Sequence, residues 1–132
     1  MKPDLEKAHR AAVEARKNSY SPYSKFKVGA ALVLEDGTIV PGCNVENASF
    51  GGTICAERTA FTSAVAKFGK IKPAALLIVT EPEAVPCGLC LQVMAEFCGS
   101  EFPVYLGTTK TPGPKVALKK LLPKPFGPES LK

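Results

Sequence analysis

Two short segments hold the residues best able to do chemistry: Cys55-Ala56-Glu57 and Pro86-Cys87-Gly88-Leu89-Cys90. Together they supply three thiolates and one carboxylate. Three protein ligands leave one position of a tetrahedral zinc ion open, which is the condition for a catalytic rather than a structural site. A carboxylate beside a ligand can carry protons to and from a metal-bound water. The combination points to hydrolysis.

Other readings compete. Cys87 and Cys90 are three apart, so at a helix start they share one face, but Cys-Gly-Leu-Cys alone also fits a redox dithiol. A closed structural zinc site would recruit Cys43 or Cys98. Cys98 falls about two turns beyond Cys90 and Cys43 begins a loop, so both read first as small buried apolar residues. Glu57 alone would be a surface charge favoured by a helix N-terminus. In a regular helix it points roughly 200° away from Cys55, so both meet one ion only if the first turn is irregular. His9, the single histidine, lies far from these segments and reads as a surface residue.

The elements that must position these groups follow from patterning. Pro3-Asp4 opens a helix with Leu5, Ala8, Ala12 and Ala15 on one side. Val28 to Leu34 is a nearly continuous apolar run, the signature of a strand buried on both faces. Asp36-Gly37 turns the chain, and Thr38 to Val40 returns antiparallel, with Pro41 placing that strand at a sheet edge. A helix begins at Cys55, with Ala60, Phe61, Ala64, Val65 and Phe68 as its stripe and Gly69 as its stop. Ala75 to Thr80 is a second doubly buried strand. A third helix starts near Pro86 with the stripe Cys90, Val93, Met94 and Phe97. Phe102 to Leu106 is a strand, and after Thr111-Pro112-Gly113-Pro114 a short strand near Val116-Ala117 returns antiparallel. From Pro123 onward the chain reads as irregular. The pattern predicts one domain, residues 1–132, with an α/β sandwich around one mixed sheet.

Composition narrows the class. The 132 residues are 45% apolar, which suits one packed core. No apolar run approaches the ~20 residues that span a bilayer, and the charged start of the chain lacks an apolar leader core. Five cysteines in a reducing compartment serve metals or catalysis, or are simply buried, more often than they pair. The expectation is a cytoplasmic protein without a membrane partner. The net charge is +5, but the lysines are dispersed and no basic stripe is interleaved with aromatics, which argues against nucleic acid.

At this point the residues resemble a known family, the small homotetrameric zinc-dependent cytidine deaminases of the three-cysteine type. The likeness runs through five blocks in order: Ser21-Pro22-Tyr23-Ser24-Lys25-Phe26-Lys27-Val28-Gly29-Ala30, Gly42-Cys43-Asn44-Val45-Glu46-Asn47-Ala48-Ser49-Phe50, Cys55-Ala56-Glu57-Arg58-Thr59-Ala60, Pro86-Cys87-Gly88-Leu89-Cys90 and Leu121-Leu122-Pro123-Lys124-Pro125-Phe126-Gly127-Pro128. The resemblance implies a three-layer α/β/α sandwich around a five-stranded mixed sheet. It implies one Zn²⁺ per subunit on Cys55, Cys87 and Cys90, with Glu57 shuttling protons between water, N3 of the pyrimidine and the leaving amine. It implies that Asn44 and Glu46 bind a ribose hydroxyl, that Phe26 packs near the base, and that Ala56 offers a backbone contact. Phe126 is implied to reach the site of a neighbouring subunit in a homotetramer, and Arg58 to support the thiolates from behind. The implied activity is a hydrolase reaction of pyrimidine salvage: cytidine and 2′-deoxycytidine to uridine and 2′-deoxyuridine, with release of ammonia.

Two positions depart from that family's pattern. Leu91 stands where an arginine usually follows the last ligand cysteine, which predicts either a more electron-rich metal site or a different basic residue in that arginine's place, with Arg58 as the remaining donor to the thiolates. Phe50 stands where tyrosine is common, removing one hydroxyl from the loop before Cys55. The alternatives in function are a deaminase of another small cytosine compound, such as blasticidin S, and a non-catalytic zinc or thiol-redox module, which would need the cysteines but not Glu57. A polynucleotide substrate would require a phosphate-tracking groove for which the chain offers no insertion.

Overall fold

Asp4 starts the first helix. Its carboxylate accepts the Lys7 N–H at 3.1 Å, and α1 runs over Leu5–Lys17. The computed structural model describes residues 2–131; Met1 and Lys132, the ends of the expected single domain, lie outside the described residues. The order continues with β1 (Gly29–Leu34), β2 (Ile39–Cys43), α2 (Ala56–Phe68), β3 (Pro73–Val79), α3 (Gly88–Phe97), β4 (Pro103–Gly107), β5 (Lys115–Ala117) and a one-turn α4 (Leu118–Leu121). Short 3₁₀ turns cover Phe50–Gly52 and Pro128–Leu131.

The five strands form one sheet in the order β2-β1-β3-β4-β5. β1 pairs antiparallel with β2 and with β3, β3 pairs parallel with β4, and β5 returns antiparallel on β4. The mixed sheet is the expected one. Pro41, opposite Ala31, sits on the edge strand, where its missing N–H costs no ladder bond.

All six residues of β1 are buried, because helices cover both faces. On one face Ala8 and Ala12 of α1 pack against Ala31, Val33, Ala75, Leu77 and Val79. On the other, Ala60, Phe61 and Ala64 of α2 and Cys90, Leu91 and Met94 of α3 pack against Ala30, Leu32, Ile78 and Val104. The result is a three-layer α/β/α sandwich. Phe61 is fully buried between the Phe97 and Phe102 rings, with centroids 5.9 and 6.5 Å away; truncating such a residue costs about 3–5 kcal/mol.

Two glycines set how closely the layers approach. A Cβ on Gly29 would lie 2.0 Å from the Ala12 carbonyl oxygen, so α1 can rest on β1 only because that position has no side chain. A Cβ on Gly42 would lie 2.4 Å from the Ala56 carbonyl oxygen. Gly42 thereby lets the first turn of α2 close onto the end of β2.

Several expectations need correction. Val65 and Phe68 do not continue the buried stripe of α2; they are 36% and 44% exposed, since the sheet supports only the N-terminal two-thirds of that helix face. Phe97 is likewise largely exposed. The helices begin one residue later at Ala56 and two residues later at Gly88 than the pattern suggested. From Pro123 onward the described residues are irregular except for the 3₁₀ turn Pro128–Leu131; just before them Leu118 is buried, and Leu121 and Leu122 pack against the core. His9 is half-buried rather than on the surface, and its Nε2 donates to the Thr108 carbonyl at 2.7 Å.

Candidate active site

Cys55 and Cys87 each occupy the N-cap of a helix, in extended backbone with ψ of 156° and 167°. The Cys55 carbonyl accepts the Thr59 N–H and the Cys87 carbonyl accepts the Leu91 N–H, both at 3.0 Å, which starts α2 and α3. An N-cap side chain folds back over its own first turn, so Cys87 meets Cys90 three residues on. Their sulfurs are 3.3 Å apart, and Cys55 Sγ lies 3.7 Å from Cys87 Sγ. All three sulfurs fall within 4.8 Å of one another.

This cluster fits a zinc ion. Two sulfurs each about 2.3 Å from a tetrahedral zinc lie about 3.8 Å apart, close to the spacings seen here. The donor set is purely thiolate, which favours zinc over hard cations. Two helix N-termini converge on it, adding partial positive charge. Without a metal, hydrogen bonding from the Cys90 thiol, then from Arg58, draws the Cys55 thiol down to about 5. The same shared hydrogen bond, with burial and the nearby Glu57 charge, pushes Cys90 up.

Glu57 solves the geometric problem raised by its spacing. Because Cys55 is outside the helix, the 200° rule does not govern the pair. Glu57 is the second residue of α2 and turns inward, only 5% exposed. Burial, reinforced by the charge of Cys55, raises its carboxyl to about 7. A carboxyl poised near neutrality is suited to both accepting and donating a proton.

Arg58 stands behind the thiolates. Its Nη2 donates to the Thr53 carbonyl at 3.1 Å and to Cys55 Sγ at 3.5 Å, and its Nε is buried without a hydrogen-bond partner among the described residues. The bond to Cys55 raises the Arg58 pKa, so it stays a cation. Leu91 is 7% exposed and belongs to the core under the sheet; it contributes no charge to the site. Cys43 and Cys98 are outside the cluster and only half-buried. Burial pushes the Cys98 thiol up to about 12, consistent with an inert thiol.

The neighbouring loop is tied down by Asn44 and Glu46. Asn44, buried at the end of β2, accepts the Val28 N–H (2.9 Å) and the Ser19 hydroxyl on Oδ1, and donates from Nδ2 to the Phe26 carbonyl (2.8 Å). Glu46 Oε1 accepts the Tyr23 and Ser24 N–H groups at 3.0 and 3.1 Å, and the Ser24 hydroxyl donates to Oε2. The Ser24 hydroxyl bond is the largest cause holding the Glu46 carboxyl below its usual range. Ser24 also accepts the Phe26 N–H, at 3.0 Å. This serine was not singled out from the sequence; only the folded loop shows that it joins Glu46 to Phe26. Glu46, Tyr23, Ser24, Phe50 and Thr53 line a shallow pocket of about 270 Å³. The exposed Phe50 ring stands edge-on to Tyr23, with centroids 5.4 Å apart. Val45 bridges to Ile54, bringing this loop beside the residue before Cys55. Ala56 is fully buried. Phe126 lies on the C-terminal segment and is 62% exposed.

The family model for the cytidine and deoxycytidylate deaminase zinc-binding region matches residues 2–106. A cytidine deaminase from Sporosarcina psychrophila is 48% identical over 129 residues, covering 97% of this chain and 95% of that protein. One from Halalkalibacterium halodurans is 42% identical, covering 97% and 98%. The crystal structure of cytidine deaminase from Burkholderia pseudomallei superposes with a TM-score of 0.85 at 43% identity, covering 92% of this chain and 98% of that one. With the three-thiolate cluster at paired helix N-termini and a match over nearly its whole length, the chain belongs to the zinc-dependent cytidine deaminase family.

Proposed function

We propose that this protein hydrolyses cytidine and 2′-deoxycytidine to uridine and 2′-deoxyuridine with release of ammonia, in pyrimidine salvage. The observation that carries the reading is the buried Glu57 carboxyl beside three converging thiolates, in a chain 48% identical to a cytidine deaminase. Cys55, Cys87 and Cys90 would hold one zinc ion, which when bound would supply a Lewis acid that makes water nucleophilic near neutral pH.

The chain's own residues do the rest. As the water oxygen adds to C4, Glu57 takes one of its protons and delivers it to N3 of the pyrimidine; Glu57 then moves the remaining hydroxyl proton to the amine, and the C4–N bond breaks to release ammonia and leave the C4 carbonyl. Burial supports this role, because a carboxyl titrating near 7 holds either protonation state at little cost. Arg58 offsets the negative charge of the thiolates through its bond to Cys55. Asn44 and Glu46 bind a ribose hydroxyl: Asn44 keeps a second Nδ2 hydrogen beyond the one given to Phe26, and Glu46 lines the loop pocket. Phe26 packs beside the base and the Ala56 backbone contacts it. Phe126 is supplied by a neighbouring subunit of a homotetramer, a role its exposed ring suits. Five unpaired cysteines suit a reducing compartment, and we place the enzyme in the cytoplasm. Among the described residues no helix is long and apolar enough to cross a membrane.

The test is ammonia release from cytidine and 2′-deoxycytidine by the zinc-loaded chain, beside Glu57→Gln. The expected result is turnover by the wild type and a loss of at least about 10²-fold in the variant at unchanged zinc content. A zinc-loaded protein that releases ammonia from neither nucleoside, or a variant as active as the wild type, overturns the proposal.

A further inference from the structure

Gln92 lies two residues past Cys90 on α3 and turns its amide to the C-terminal segment. Its Nε2 donates to the Phe126 carbonyl at 2.6 Å, and its Oε1 accepts the Phe126 N–H at 3.1 Å. One side chain thereby satisfies both backbone groups of one residue, as a paired β-strand would. A primary amide can do this because it carries a donor and an acceptor side by side.

The surroundings make this clamp decisive for where Phe126 sits. Before it, Leu118, Leu121 and Leu122 anchor α4 to the core. Around it, Pro123, Pro125 and Pro128 restrict their own φ and hold the preceding residues extended. Little backbone freedom remains once Phe126 is bonded at both groups. Phe126 as a residue is nevertheless 62% exposed. A tail docked for stability would bury that ring; here the backbone is docked and the ring is left outside.

We propose that Gln92 is a positioning residue: its amide holds Phe126 in register with the ligand-bearing helix α3, so that the aromatic ring is presented to the substrate site of a second copy of this chain. The inference rests on the role given to Phe126 above. It also links two features that are far apart in the chain, because α3 carries both Cys90 and the clamp. A change at Gln92 in one subunit acts on substrate held in another.

The experiment uses the zinc-loaded full chain. Gln92→Leu removes both hydrogen bonds at similar volume, and zinc content per chain reports whether α3 is intact; Gln92→Met repeats the test should leucine lower it. Steady-state kinetics with cytidine are compared for Gln92→Leu, Phe126→Ala and the double variant. Two net hydrogen bonds correspond to roughly a tenfold rise in KM with a smaller change in kcat, and the double variant should be no worse than Phe126→Ala. Hydrogen exchange at the Phe126 amide, slow in the wild type, should become fast in Gln92→Leu. Unchanged exchange overturns the clamp. If Phe126→Ala raises KM but Gln92→Leu does not, or if the two effects add, Gln92 does not act through Phe126 and the proposal fails while the role of Phe126 stands. If Phe126→Ala leaves KM unchanged, that role fails and the proposal falls with it.

Discussion

Cys55 and Cys87 are equivalent positions of two helices: each is the N-cap, and their sulfurs lie 3.7 Å apart. The equivalence makes the metal site a product of helix capping. The same extended backbone that starts each helix turns a sulfur inward, and both helix dipoles favour an anion at that point.

Replacement of Cys55 or Cys87 by serine should abolish stoichiometric zinc binding, since the cluster offers three sulfurs and no fourth protein donor among the described residues. Cys98→Ser should keep one zinc per chain, because Cys98 lies outside the cluster. Metal analysis of the purified variants decides both. Zinc lost from Cys98→Ser would mean that the ligand set is wrong.

Arg58→Gln removes the cation bonded to Cys55. Loss of a partner behind a ligand typically costs 10–100-fold in metal affinity. Competition with a chelator should therefore show zinc leaving this variant at about 10–100-fold lower chelator concentration than the wild type. Equal retention would assign Arg58 to the Thr53 loop alone.

The metal-free protein should respond to pH through Glu57. Its carboxyl is raised from 4.5 to about 7 in the folded chain, so between those values the folded state binds more protons than the unfolded one. The contribution of Glu57 to stability then falls as pH rises through that window, while Cys55, drawn down to about 5, contributes in the opposite sense and is common to the wild type and Glu57→Gln. Glu57→Gln lacks this titration. Urea unfolding of the metal-free proteins should give matching stabilities near pH 4.5, and above pH 7 a variant more stable by on the order of 1–3 kcal/mol. A constant difference across the range would contradict the assignment of burial as the cause.

Gly42→Ala drives a Cβ toward the Ala56 carbonyl, 2.4 Å away in the present geometry. Either β2 or the first turn of α2 must move, at a cost of about 1–3 kcal/mol. Since Ala56 follows Cys55 directly, zinc affinity should fall together with the unfolding midpoint. A drop in stability with unaltered zinc affinity would show that the helix start yields without disturbing its cap.

Much of the fold was legible because burial on both faces leaves a strong trace. The apolar run ending at Leu34 and the run from Ala75 fit doubly buried strands, Pro41 marks the edge, and the short link around Thr111 favours the antiparallel return of β5. Helix faces were less legible. Val65, Phe68 and Phe97 carry the right spacing, yet they extend past the sheet that would cover them. Spacing reports which residues share a side; it does not report how far the opposing surface reaches.

The site divides the same way. Residue types and spacing name the donors: three thiols, one carboxyl and one guanidinium, in segments that open helices. The fold sets their relations. It put Cys55 at the cap rather than in the helix, which frees Glu57 to turn inward, and it buried Glu57 so that its carboxyl is poised near neutrality. It engaged Asn44 and Glu46 with the Ser19–Val28 loop and bonded Gln92 to the backbone of Phe126. Chemical identity is local and can be read one residue at a time. Proximity, desolvation and hydrogen-bond partnership are set by segments distant in the chain, and they exist only once the sheet has brought those segments together.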